Sequence, residues 1–346
     1  MLLNARGGEA LRPLSQGGVS VSLPKVYVSR RIQDAGLLLL NGRVEYEVWE
    51  EIGPVERGVL LEKGATADGL LVTLSDRIDE ELLSRCPQLK VVGNYAVGYD
   101  NIDVKAATER GVLVTNTPDV LTNATADIAF ALLLASARRV VEANEFLRSG
   151  DWVTWHPNLL LGSDVSGSTL GIVGMGKIGQ AVARRAKGFD MEILYVNRSP
   201  KPEIERTLGA RRVALEELLA ASDFISLHCP LNEETRGLIG EEELRAMKRT
   251  AFLINTSRGP VLDQKALFKA CSEGWIGGAG LDVFEKEPVP LDEPLLTLKN
   301  VTTLPHLGSA TIKAREGMAR KAAENVLAAL EGRRPVDLVN PEAFSA

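Results

Sequence analysis

Cysteine and histidine are both scarce in this chain, with three of each among 346 residues. Cys86, Cys229 and Cys271 are scattered, odd in number and without metal-ligand spacing. They offer neither a disulfide framework nor a metal centre, and they fit a reducing, cytoplasmic setting. Long hydrophobic runs are missing as well. The longest, around Ile128–Ala137, falls far short of the ~20 residues that span a membrane. Residues 1–23 mix Gly, Ser and Arg with no apolar core, so residues 1–24 read as a disordered extension rather than a secretory signal. Positive charge is not in excess. A formal net charge of −6 argues against a nucleic-acid partner.

What the chain does contain is an ordinary soluble composition, 45% hydrophobic and 25% charged, and enough length for two domains. Short apolar segments alternate with helical ones. Lys25–Ser29, Val44–Glu50, Gly69–Leu74, Leu89–Asn94 and Gly111–Thr115 read as strands, and Ile32–Leu40 as a helix. Thr122–Leu147 reads as one long helix capped by Thr122 or Asn123. The rhythm resumes with strands at Thr169–Val173, Glu192–Val196, Asp223–Leu227, Ala251–Asn255, Gly278–Asp282 and Val301–Thr303. A helix over Ala314–Leu330 closes the chain. Such alternation predicts an α/β fold with parallel sheets.

The most specific segment is TLGIVGMGKIG, residues 169–179. Gly174, Gly176 and Gly179 have the G-x-G-x-x-G spacing between a strand and a helix read over Gln180–Phe189. Lys177 and Ile178 complete the turn. The first glycine permits a tight turn, the second lets backbone approach a pyrophosphate, and the third lets helix pack on strand. The free N–H groups of the helix start then face the phosphates. About half the chain precedes this motif. We therefore expect a discontinuous substrate domain, residues 25–121 and 311–346, with a dinucleotide-binding domain, residues 122–310, inserted into it. A cleft between them would hold the ligands.

An NAD-binding fold usually ends its second strand in an acid that holds the adenosine ribose. Here Asn197–Arg198–Ser199 stands at that point. Arg198 and Ser199 suit a 2′-phosphate, which favours NADP(H) and leaves NAD(H) open. Three later strands end in charged groups: Arg258 in NTSRGP, Asp282, Glu285 and Glu287 in GLDVFEKEP, and His306 in PHLGSAT. A guanidinium holds a 2-oxo acid carboxylate by paired hydrogen bonds. An imidazolium can protonate the alkoxide left by hydride addition, and a carboxylate partner favours that charged form. Arg258 is thus expected as clamp, His306 as general acid and Glu287 as its partner. Asp282 is expected to reach a nicotinamide amide and His228 to line the cofactor side. His156 reads as structural.

Together, NYAVGYDNIDV (94–104), GMGKIG (174–179), HCPLNEET (228–235), NTSRGP (255–260), GLDVFEKEP (280–288) and PHLGSAT (305–311) resemble the D-isomer-specific 2-hydroxyacid dehydrogenases. VTNTPDVLTNATAD (114–127) and DWVTWHPNLLLG (151–162) most resemble the glyoxylate reductases among them, which also reduce hydroxypyruvate. The resemblance implies two Rossmann-like, doubly wound parallel-sheet domains, a cleft active site and a homodimer. It implies substrate contacts by Leu74, Ser75, Val97 and Gly98, and a Trp155 that reaches the partner subunit's active site. Thr125, Cys229, Pro230, Thr256 and Gly308, in or beside these motifs, fall to the cofactor side. The missing strand-end acid departs from the general family pattern. Two alternatives stay open: another D-2-hydroxyacid dehydrogenase of the D-lactate or phosphonate type, or a nucleotide-sensing, corepressor-like interaction protein of the same fold.

Overall fold

Two all-parallel sheets organise the computed structural model of the chain, which describes residues 22–344. The extension expected over residues 1–24 lies, as far as residue 21, outside the described residues. The first sheet holds β1 (Lys25–Val28), β2 (Glu45–Val48), β3 (Gly69–Val72), β4 (Val91–Asn94) and β5 (Leu113–Thr115) in the order β2-β1-β3-β4-β5. Its helices are α1 (Asp34–Leu40), α2 (Arg57–Gly64), α3 (Glu80–Arg85) and α4 (Val104–Glu109). The central strands are buried on both faces, so they read as continuous apolar runs such as Leu70, Leu71 and Val72.

The chain then passes to the second sheet through α5 (Thr122–Ala137) and α6 (Val140–Ser149). There follow β6 (Thr169–Val173), α7 (Lys177–Lys187), β7 (Glu192–Val196), α8 (Pro202–Leu208), β8 (Arg211–Arg212), α9 (Leu215–Ala221) and β9 (Phe224–Leu227). Next come α10 (Glu241–Ala246), β10 (Phe252–Asn255), α11 (Gln264–Ser272), β11 (Gly278–Leu281) and β12 (Val301–Thr303). The strand order is β12-β11-β10-β9-β6-β7-β8. The last helix, α12 (Ile312–Leu330), returns to the first sheet and packs on α1, β3 and β4. The C-terminal segment is tied beside β5, where Val339 N donates to Val114 O and Val114 N to Asn340 Oδ1.

Each sheet is sandwiched between two apolar clusters. Leu194, Ile225 and Leu253 fill one face of the larger sheet, and Phe130, Ile172 and Phe224 the other. Both sheets have a point where strand order reverses, at β1/β3 and at β6/β9. Ligand crevices form beyond the carboxyl ends of strands at such points.

Three expectations change. The helix read over Thr122–Leu147 is broken after Ala137, where Arg139 takes a left-handed φ of 53° and its guanidinium closes on Glu142. Neither Thr122 nor Asn123 caps α5; its N-cap is Leu121, without a side-chain bond. Finally, α7 starts at Lys177, three residues ahead of the reading, because the glycine turn runs directly into the helix.

Candidate active site

A cleft of about 440 Å³ opens where the two switch points face one another. From the larger sheet, Thr125, Ile178, His228, Thr256, Arg258, Asp282, Glu287, His306 and Gly308 line it. From the smaller sheet come Leu74, Ser75, Val97 and Gly98. These are among the residues that the motifs single out, brought together from six loops and the first turns of α5 and α7.

The glycine turn is shaped as its spacing predicts. Gly174 has a φ of 97°, and a Cβ there would lie 2.6 Å from Cys229 N. A Cβ on Gly179 would lie 2.2 Å from Gly174 O, so helix and turn touch through bare backbone. Around Gly176 there is open space, and α7 begins there without a side-chain cap. Its N–H groups are therefore available to an anion. Asn197 Oδ1 accepts from Met175 N at 3.1 Å, while its Nδ2 donates to Ser199 O at 2.8 Å. The side chain that replaces the ribose acid thus ties β7 to the turn. Arg198 is well exposed, its only ionic partner among the described residues being Glu234 at 4.0 Å. Arg212, which sequence reading passes over, braces this loop by donating to Asn197 O and Arg198 O.

Three further cofactor-side residues have their side chains or carbonyls engaged or buried. Lys177 reaches back to the Asp119 carboxylate, leaving its backbone N–H rather than its ammonium for a phosphate. Cys229 is buried in the core, and burial pushes its thiol up to about 11, so it contributes backbone and packing. Pro230 is exposed, and its carbonyl accepts from Thr235 Oγ1 at 2.6 Å. Thr256 Oγ1, by contrast, is buried against the cleft with no hydrogen-bond partner among the described residues. An orphaned hydroxyl of this kind calls for a ligand or a water.

His306 is the centre of the polar arrangement. Its backbone is left-handed, with φ 56°, a conformation that L-residues rarely hold unless their surroundings impose it. Asp282 imposes it here. Its backbone O accepts from His306 N at 2.9 Å, and its carboxylate accepts from Leu307 N at 2.6 Å and Gly308 N at 2.7 Å. Burial pushes the Asp282 carboxyl up, against the pull of those two N–H groups and of His306. The carboxylate expected at the nicotinamide amide is therefore already the anchor of the His306 loop.

His306 Nδ1 lies 2.6 Å from Glu287 Oε2, and Glu287 Oε1 accepts from Phe284 N at 3.0 Å. Burial acts to raise the Glu287 carboxyl. The His306 bond and charge, the Phe284 N–H and Arg258 outweigh it, so the group sits below the usual carboxylate range. The other ring nitrogen, Nε2, has no partner among the described residues and is left for the cleft. His228 differs. Its Nε2 lies 2.8 Å from Ser226 Oγ, and burial pushes its pKa down to about 4, which keeps it neutral.

Arg258 follows β10. Its Nε donates to Asp100 Oδ1 at 2.8 Å and its Nη1 to Ser257 O at 2.8 Å. Its Nη2 lies over Gly98, where a Cβ would be only 1.8 Å away. The Val97 and Gly98 carbonyls are engaged by Asn116 Nδ2 and Asn94 Nδ2. The N–H groups of both residues have no partner among the described residues, and both residues line the cleft beside the guanidinium. Asp100 escapes sequence reading although it lies in the quoted motif, because nothing local says that it meets a residue 158 positions away. Trp155, expected to reach the partner subunit's active site, does not line this chain's own cleft and is 75% exposed.

Residues 130–308 match the family model described as D-isomer specific 2-hydroxyacid dehydrogenase, NAD binding domain. A glyoxylate reductase of Korarchaeum cryptofilum is 56% identical over 320 residues, covering 92% of this chain and 96% of that protein. A crystallised Thermus thermophilus protein superposes with a TM-score of 0.85 at 49% identity, over 91% of this chain and 99% of that one. An NADPH-dependent glyoxylate/hydroxypyruvate reductase of Sinorhizobium meliloti, solved with NADP and malonate, gives a TM-score of 0.81 at 33% identity. That alignment covers 94% of this chain and 99% of the other. Two parallel-sheet domains, a glycine turn at the switch point of the larger sheet and similarity over nine-tenths of the length lead to one conclusion: the chain belongs to the D-isomer-specific 2-hydroxyacid dehydrogenases.

Proposed function

We propose that the chain reduces glyoxylate to glycolate and hydroxypyruvate to D-glycerate, with NADPH preferred to NADH. The observation that carries this reading is the Glu287–His306 pair, which leaves one imidazole nitrogen free in the same cleft as Arg258 and the Val97–Gly98 N–H groups. The open backbone around Gly176, the N–H groups of α7 and the orphaned Thr256 hydroxyl suit a dinucleotide. Such a cofactor supplies a hydride when bound.

The chain's own residues do the rest. Arg258 and the N–H groups of Val97 and Gly98 hold the substrate carboxylate and aim its carbonyl. His306 Nε2 donates a proton to the carbonyl oxygen as that oxygen gains charge, which yields the hydroxyl of the product. Glu287, kept ionised by its environment, stabilises the imidazolium before transfer and fixes the ring through Nδ1. The neutral imidazole is then reprotonated from solvent. Asn197, Arg198 and Arg212 form a basic edge with no acid at the strand end, which suits a 2′-phosphate.

The inserted-domain division, with the nucleotide domain at 122–310, and the homodimer belong to the same reading. Val140, Val141, Leu147, Trp152, Val153, Trp155 and Leu161 are all exposed within one stretch of the sequence, and apolar surface of this kind suits a second copy. Among the described residues no helix is long and apolar enough to cross a membrane. A reducing, cytoplasmic setting suits the three free, buried cysteines.

Initial rates of NADPH and NADH oxidation with glyoxylate, hydroxypyruvate and pyruvate test the assignment. NADPH with glyoxylate or hydroxypyruvate is expected to be fastest, and Arg198→Ala is expected to raise the KM for NADPH about tenfold while sparing NADH. Faster turnover of pyruvate would move the substrate, and equal losses with both cofactors would remove the 2′-phosphate assignment.

A further inference from the structure

We propose that Asp100 is a positioning residue for Arg258, and that its carboxylate sets the guanidinium to receive the substrate carboxylate. The proposal rests on reading Arg258 as the carboxylate clamp. Asp100 belongs to the loop after β4 of the smaller sheet, and Arg258 to the loop after β10 of the larger one. Their 2.8 Å bond therefore spans the cleft. It engages Nε, while Ser257 O takes one Nη1 proton, so the Nη2 edge is the one presented beside Gly98. A free arginine side chain samples many rotamers, and holding it at Nε removes that freedom before substrate arrives.

The loop that carries Asp100 is itself held in place. Asn94 Nδ2 donates to Gly98 O at 2.8 Å and to Asn101 Oδ1 at 3.2 Å. Asn101 Nδ2 donates to Thr73 O at 3.2 Å and Asp76 O at 3.0 Å. The buried Asp76 carboxylate in turn accepts from Thr73 N and Ser29 Oγ. The two substrate-side loops, 73–75 and 97–98, are thus one hydrogen-bonded frame, and Asp100 is the arm by which this frame grips the arginine of the opposite sheet. The pair is only partly buried, with side chains 21% and 32% exposed. Its role is accordingly orientation more than stability.

The test is a titration of the cofactor-loaded chain with oxamate, a 2-oxo acid analogue that is not reduced, alongside glyoxylate kinetics. Asp100→Ala, and Asp100→Ser, whose side chain is too short to reach Nε, are expected to weaken oxamate binding and raise the glyoxylate KM about tenfold. Asp100→Asn keeps an acceptor for Nε and is expected to stay within about threefold of the native values, and the NADPH dissociation constant within about twofold in all three. A merely structural role would weaken NADPH binding as well, and that result would overturn the proposal. So would native-like binding in the alanine variant, or an asparagine variant as weak as alanine. Tighter oxamate binding in the alanine variant would make Asp100 a competitor of substrate instead. If the native chain reduced no glyoxylate, the functional reading would fall while the oxamate series still judged Asp100. A native chain that bound no oxamate would overturn both.

Discussion

A methyl group on Gly98 would lie 1.8 Å from Arg258 Nη2. The clash is with the far end of a flexible side chain, so the guanidinium yields and the fold does not. Gly98→Ala is therefore expected to leave thermal stability within about 1 kcal/mol of native and to raise the KM for the 2-oxo acid about tenfold or more. A thermal melt and steady-state kinetics read the two effects separately. His228 gives a different signature. Its pKa falls from 6.5 to about 4 on burial, so the unfolded chain takes up the proton first. Its contribution to stability is full above the unfolded value and is lost as pH falls from there towards about 4. Melting temperatures at about pH 7 and about pH 5 should fall further for the native chain than for His228→Asn, whatever the offset between them. Equal slopes would mean that His228 is not held neutral. At this scale the sequence is readable where chemistry limits the choice: with three histidines in the chain, His306 and its acid are found by what the reaction needs. Asp100 and Arg212 act through partners 158 and 15 positions away, and no local pattern announces them.

Among the elements, β6, its glycine turn and α7 are legible because apolar run, glycine spacing and amphipathic helix all agree within some twenty positions. The break between α5 and α6 is not, since apolar periodicity continues through it with neither glycine nor proline to mark it. β8 is hidden too, being two exposed arginines without alternation. Helix pairing, by contrast, is written in small residues. α1 packs on α12 so closely at Gly36 that a Cβ there would lie 2.5 Å from Ala319 O. That contact is with backbone and cannot give. Gly36→Ala is expected to cost about 1–3 kcal/mol of unfolding free energy, measured by urea denaturation. An unchanged midpoint would mean that the two helices are not held at this distance in solution.

Over the whole molecule, two parallel sheets set their switch points face to face, and the path of the chain makes this possible. It leaves the first sheet after β5, builds the second, and returns through α12. The sequence shows the alternation that demands parallel sheets, and the central place of the glycine motif implies a separate domain ahead of it. How the loops of the two sheets meet depends on contacts between residues more than a hundred positions apart, such as Arg258 with Asp100. In the proposed reaction this cleft performs the reduction with His306 as proton donor. The most direct test compares the native chain with His306→Asn, measuring NADPH affinity by fluorescence titration and the single-turnover rate with glyoxylate. The variant should bind NADPH within about twofold of native and lose about a hundredfold or more in rate. A rate close to native, or a variant that has lost NADPH binding while the chemistry of its bound fraction is unchanged, would contradict this role for His306.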